Sequence, residues 1–491
     1  MHQEPVTELP RSVTEAAALL RARKTSALEL ADLALQRSHA DRHNAWLHLS
    51  DDHARVQARA ADARLGAGDA PLLTGIPWAC KDIIGTKKIP TTAGSRILEG
   101  YIPAYSATVV ERLDAQGAVM VGKTNLDEFA MGSSNENSAF GPVKNPWCAE
   151  RVPGGSSGGS AVAVAAGEVL FALGTDTGGS IRQPAALTGV VGMKPTYGRV
   201  PRWGVVAFAS SLDQVGPFAN TVEDVAIVCE AIFGKDPNDA TMVTDFPNDD
   251  LRRDLDKGVK GMRIGVPKEY FSVEGMEPGV ERAVRDALKV LEREGAKLEE
   301  VSLSLTDHGL AVYYIIQPAE ASSNLARYDG IRYGLRVEGP DLLETYRRTR
   351  GNGFGPEVKR RMILGTYALS AGYYDAYYVK AQKVRTLIKD EYDRVFEKVD
   401  ALVTPTSPTV AFPIGAKVND PLSMYLNDIF TLPVNISGLP GISVPCGLSE
   451  GLPVGLQVIA NSYQERTMFR VAASYERATP HHLERPKEKA A

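Results

Sequence analysis

The chain has 491 residues, 44% of them hydrophobic and 23% charged, which is ample material for a large buried core. Its formal net charge of −5 argues against an unaided grip on nucleic acid, which needs an excess of Lys and Arg to displace counterions from phosphates. The four cysteines, Cys80, Cys148, Cys229 and Cys446, form no CxxC pair, so neither a disulfide framework nor a zinc site is expected.

The opening MHQEPVTELPRS lacks a basic start followed by an apolar stretch, and no apolar run approaches the roughly 18 residues of a membrane span. A cytoplasmic protein is the default expectation. Residues 11–65, rich in Ala, Leu, Arg and Glu, read as helical, and 1–65 as an N-terminal helical packing layer. Thr25 and Ser26, ahead of Ala27-Leu28-Glu29-Leu30, mark a second helix start.

From residue 70, short apolar runs alternate with glycine-rich turns: GIPWACKD, AVMVGKTN, EVLFALGTDTGGS and GVVGMKPT. These are strand-then-turn patterns, with helices expected at 107–116, 160–167 and 217–234. Such alternation predicts a layered α/β fold around a sheet. Residues 235–260 read as an acidic surface connection. MRIGVP and LEEVSLSL are strand candidates, with the amphipathic helix GVERAVRDALKVLEREG between them. Residues 331–356 read as an Arg- and Gly-rich loop, mobile or partner-facing, and 357–398 as helical. DALVTPT, GISVP and PVGLQVIA return the chain to strands before a charged tail at 481–491, and no internal repeat is visible.

The chemistry concentrates in 153–204, where paired glycines surround serines twice, as GGSSGGS at 154–160 and DTGGS at 176–180. Glycine is costly to order, so its concentration here needs a cause. Neither GxxxxGK[ST] nor GxGxxG occurs in the stretch, which weakens a phosphate cradle. The remaining reading is a loop whose N–H groups converge on a reacting carbonyl beside Ser180. A serine nucleophile needs a base. The histidines are His2, His39, His43, His48, His53, His308, His481 and His482, none of them between 54 and 307. Lys81 is the alternative. It follows the apolar run Ile76–Cys80, and burial can lower a lysine pKa to roughly 7 or 8. Taken singly, a lysine after a strand is usually solvated and a serine in a glycine turn is usually only a turn residue.

In context, GGSSGGSAVAVAAGEVLFALGTDTGGSIRQPAALTGVVGMKPT resembles the amidase signature nearly from end to end, and GIPWACKDII resembles that family's lysine strand at matching spacing. The resemblance implies an α/β fold with a central mixed sheet covered by helices on both faces. It also implies a catalytic domain over 66–480, with its core at about 70–220. It makes Ser180 the nucleophile, Ser156 a bridging serine after a non-proline cis peptide, and Lys81 the terminal base. Oxyanion donors would be the N–H groups of Thr177, Gly178, Gly179 and Ser180. No metal or organic cofactor is implied for this chain.

Four further strings, among them NLDEFAMGSSNENSAFGPVKNPW and GFGPEVKRRMILGTYALSAGYYDAYYVKAQKVR, are similar to the glutaminase subunits of glutamine-dependent tRNA amidotransferases. This implies Arg360 and Asp428 as partners for the charged ends of free glutamine, with Tyr313 as a further contact; Arg361 and Tyr314 remain alternatives. One departure is Gly132-Ser133-Ser134, where such relatives often carry a second glycine. The partners implied are a B subunit, using ATP and Mg to amidate activated Glu-tRNA(Gln) or Asp-tRNA(Asn) with the released ammonia, and a small C subunit. The competing readings are a free-standing small-molecule amidase and a non-catalytic scaffold.

Overall fold

The computed structural model describes residues 7–68, 70–243, 250–418 and 420–487. Eleven strands form one mixed sheet: β1 Trp46–Leu49, β2 Pro77–Lys81, β3 Val119–Thr124, β4 Phe171–Asp176, β5 Val191–Lys194, β6 Gln214–Ala219, β7 Arg263–Pro267, β8 Lys297–Val301, β9 Ala401–Pro405, β10 Gly441–Ser449 and β11 Leu452–Ile459. Their spatial order is β1-β3-β2-β4-β6-β5-β10-β11-β9-β7-β8. Strand β2 runs parallel to both β3 and β4, whereas β4 pairs antiparallel with β6 from Phe171↔Ala219 to Asp176↔Gln214. Every position of β2 and β4 is buried, as expected of central strands covered on both faces. The edge strand β8 carries charge instead (KLEEV), which discourages pairing with another chain.

This topology positions the chemistry. Because β2 and β4 are parallel neighbours, their C-terminal ends, Lys81 and Thr175-Asp176, open at the same edge of the sheet. Two helices start beside that edge, Gly158–Ala165 just after Ser156 and Arg182–Thr188 just after Ser180. The second helix start expected from sequence is present as a reciprocal cap. Ser26 Oγ accepts from the Glu29 N–H at 3.1 Å, and the Ser26 N–H donates to Glu29 Oε2 at 2.8 Å.

Several expectations need correction. The N-terminal layer is not wholly helical: Trp46–Leu49 is an edge strand pairing antiparallel with Gly122–Thr124, so this layer shares the sheet. The stretch at 217–234 begins as the end of β6, and its helix is Val222–Ile232. The expected loop at 331–356 contains the helix Leu342–Gly353, started by Asp341, whose carboxylate accepts from the Glu344 N–H. The helical run at 357–398 breaks after Ala368 and resumes through a π-turn at Asp375–Val379. The acidic connection is anchored by buried Leu251 and Leu255, and its residues 244–249 lie outside the described residues, as do 488–491 of the tail.

Candidate active site

Lys81 is fully buried at the end of β2. Its Nζ lies 2.8 Å from Ser156 Oγ, 2.7 Å from Ser157 Oγ and 2.9 Å from Thr175 Oγ1. Burial pushes its pKa down to about 7, against the upward pull of the Asp127, Asp176 and Asp213 carboxylates. Ser157 Oγ donates to the Thr175 carbonyl at 3.1 Å, so it accepts from Lys81. The Gly155–Ser156 peptide is cis, as expected from the resemblance. The Ser156 carbonyl accepts from the Asp127 N–H at 3.2 Å, and the Ser157 N–H donates to the Ser180 carbonyl at 3.2 Å. The second backbone bond brings the two serine segments side by side. Ser180 itself is 7% exposed, and among the described residues its hydroxyl makes no hydrogen bond.

The turn between β4 and the following helix is organised by one carboxylate. Asp176 accepts from the N–H groups of Gly179 (2.8 Å), Ile181 (3.2 Å) and Arg182 (3.4 Å), and pairs through both oxygens with the buried Arg182 guanidinium. Burial alone would raise its pKa, but the charge and hydrogen bonds of Arg182, the nearby Lys194 and the Asn435 amide at 2.9 Å hold it at about 2. The four expected oxyanion donors therefore differ in their engagement. The Gly179 N–H is engaged by Asp176, whereas among the described residues the N–H groups of Thr177, Gly178 and Ser180 have no partner. Gly179, at φ +143°, holds a conformation that other residues rarely adopt. Thr431 Oγ1 donates to the Gly178 carbonyl at 2.7 Å and braces the turn from the far end of the chain.

Around this turn stand the residues expected to read the substrate. A Cβ on Gly178 would come within 2.8 Å of the Tyr313 hydroxyl, and one on Gly179 within 3.0 Å of Asp428 Oδ1, so both side chains border the turn. Asp428 is buried; its Oδ2 accepts from the Ser133 hydroxyl, and its Oδ1 has no partner. Burial raises its pKa to about 7, although the Ser133 bond opposes the shift. Ser133, within the Gly-Ser-Ser string, thus holds the carboxylate in place.

The two arginines separate cleanly. Arg360 is 45% exposed and pairs with Glu357 at the helix surface, whereas the Arg361 side chain is only 3% exposed. Arg361 Nε donates to Glu357 Oε1 at 2.8 Å and Nη1 to Gln317 Oε1 at 2.9 Å, with the Tyr314 and Tyr425 rings 5.3 and 5.5 Å from its guanidinium carbon. The structure therefore brings Arg361, not Arg360, to the interior with Asp428 and Tyr313. Tyr314 stacks on Tyr425 at 3.8 Å, flanking the arginine.

Sequence reasoning missed Ser157, Thr175, Gln317 and Tyr425. Ser157 lay inside GGSSGGS and Thr175 directly before DTGGS; nothing local marked the other two. A cavity of about 350 Å³ opens beside Thr175, Thr177 and Asp213 and is bordered by the exposed, stacked rings of Tyr105 and Trp203. Asp41, His43 and Glu168, near the N-terminal layer, are close enough to share an ion. Asp41 is already bonded to the His43 ring and to two backbone N–H groups, and Glu168 to Trp46 Nε1.

Comparison with known proteins adds independent findings. The amidase family model matches residues 29–469. The glutamyl-tRNA(Gln) amidotransferase A subunit of Roseiflexus castenholzii is 59% identical over 477 residues, covering 97% of each chain. Among solved structures, the glutamyl-tRNA(Gln) amidotransferase A subunit from Thermotoga maritima superposes with a TM-score of 0.82 at 44% identity, covering 98% of this chain and 100% of its own. The native peptide amidase from Stenotrophomonas maltophilia gives a TM-score of 0.81 at 31% identity, covering 95% and 96%.

Proposed function

This chain belongs to the amidase family, and on that premise we propose how its buried lysine and serines break an amide bond. The chain is the amidohydrolase subunit of a glutamyl-tRNA(Gln) amidotransferase, which works as a multi-subunit assembly. The geometry supports a relay of Lys81, Ser156 and Ser180. A neutral amine has two protons to give and one lone pair. With Ser157 and Thr175 as its acceptors, the lone pair of Lys81 is left for the Ser156 proton.

In the forward step Lys81 takes the proton of Ser156, Ser156 takes that of Ser180, and Ser180 Oγ attacks the carboxamide carbon of glutamine. The free N–H groups of Thr177, Gly178 and Ser180 receive the developing oxyanion; one such donor is typically worth roughly 3 kcal/mol. The relay returns a proton to the leaving nitrogen, ammonia departs, and water cleaves the glutamyl ester. Arg361 pairs with the α-carboxylate and Asp428 Oδ1 with the α-ammonium, a cation and an anion at fixed separation. The orphaned Oδ1 supports the second assignment, because a buried unpaired carboxylate oxygen is costly until a donor arrives. The ammonia passes to a partner B subunit that activates the tRNA-borne acid with ATP and Mg, and a small C subunit completes the assembly.

The observation carrying this reading is the 2.8 Å contact between Lys81 Nζ and Ser156 Oγ in a fully buried setting. It is tested by assembling the complex with Ser180→Ala and assaying Glu-tRNA(Gln) amidation with glutamine or with ammonium chloride as nitrogen donor. Glutamine should fail by at least about a thousandfold while ammonium still serves. Wild-type rates with glutamine would reduce the chain to a scaffold.

A further inference from the structure

Gln317 plays no part in the relay, yet it is fully buried on the helix Thr306–Asn324, one turn beyond Tyr313. Its Oε1 accepts from Arg361 Nη1 at 2.9 Å, and its Nε2 is buried without a partner. An unsatisfied buried donor is normally costly, so something must favour this arrangement. Rotating the amide would bring two sets of N–H donors face to face, so Arg361 fixes its orientation.

A guanidinium such as that of Arg361 has five N–H groups. Glu357 takes the one on Nε and Gln317 takes one on Nη1, while among the described residues none engages Nη2. Glu357 is itself held by the Tyr425 hydroxyl at 3.0 Å, and the Tyr314 and Tyr425 rings limit tilting. Glu357 alone grips only one end of the fork and would leave it free to swing about that bond. Gln317 supplies the second fixed point from a different helix.

We propose that Gln317 is a specificity-determining positioning residue: it locks the Arg361 fork with Nη2 presented to the substrate carboxylate. This rests on the reading of Arg361 as the carboxylate partner. A neutral acceptor suits the task, because a second carboxylate beside Glu357 would compete with the substrate for the same charge. Gln317 acts through Arg361 and does not touch the reacting atoms.

The test compares glutamine with 4-aminobutanamide, which is glutamine without its α-carboxylate, as substrates of the assembled complex carrying Gln317→Met, Gln317→Asn or Arg361→Ala. Gln317→Met keeps the volume and removes the acceptor, whereas Gln317→Asn withdraws the amide by one bond. Both should raise KM for glutamine about tenfold, hold kcat within about threefold, and leave 4-aminobutanamide turnover unaltered. The preference for glutamine then falls about tenfold. Arg361→Ala should abolish that preference. If Arg361→Ala abolishes it while both Gln317 variants retain it, the role assigned to Gln317 is overturned and the arginine reading stands. If Arg361→Ala also retains it, both are overturned. A purely structural role would lower Tm and depress both substrates equally.

Discussion

The depressed basicity of Lys81 makes a quantitative demand on the pH–rate profile. A base must be unprotonated to act, and burial sets this amine at about pKa 7 rather than 10.5. The neutral fraction then rises from about one-tenth at about pH 6 to about nine-tenths at about pH 8, so kcat should climb nearly tenfold and level off. Saturating glutamine is essential, because Asp428 also titrates at about 7 and would otherwise add its own limb through KM. The assay is ammonia release by the complex across that range, beside Lys81→Arg, whose guanidinium stays protonated and should lose roughly a thousandfold without recovering at high pH.

Stability supplies an independent check on the same shift. Between about 7 and 10.5 the folded state holds fewer protons than the unfolded chain, so stability rises with pH across that window. Lys194, also buried and lowered to about 7, adds the same slope, so Lys81→Met should remove one of the two contributions. A kcat flat between about pH 6 and 8, or a rise centred near the ordinary lysine value, would refute the argument.

Three further substitutions bear on the pocket. Arg360→Ala should leave KM within about twofold, because that side chain is half in solvent, while Arg361→Ala should raise it about a hundredfold or more, read from initial rates of ammonia release. Asp428→Asn should raise KM for glutamine about a hundredfold and remove the dependence of KM on pH near neutrality, since the group that must ionise is gone. Gly178→Ala places a methyl 2.7 Å from the Tyr313 ring, so kcat/KM should fall about tenfold or more with the fold retained by circular dichroism.

The segments of the proposed relay stood out in the sequence, two as glycine-rich strings around Ser156 and Ser180 and one as the apolar run ending at Lys81, and the structure sets Lys81 Nζ 2.8 Å from Ser156 Oγ. The pocket was legible only in part. Positions 360 and 361 differ by about 100° around a helix, and which one turns inward depends on how that helix packs against Thr306–Asn324. No local pattern encodes that phase. The Gly179 N–H is bonded to the Asp176 side chain, through a rotamer that composition cannot reveal. Trp46–Leu49 went unrecognised because it is short and owes its strand form to a ladder with residues more than seventy positions later. The central strands β2 and β4 are buried along their whole length and announced themselves as apolar runs.

The Asp176 carboxylate also sets the stiffness of the turn. Along 177–182 it binds three amides, those of Gly179, Ile181 and Arg182, and among the described residues leaves Thr177, Gly178 and Ser180 open, so the segment is stiffened by bonds that spare the donors of the proposed mechanism. In the proposed mechanism, charge developing on the substrate oxygen would therefore meet dipoles already aligned, and reorganisation would contribute little to the barrier. Structures trapped before and after acylation should superimpose over these six residues.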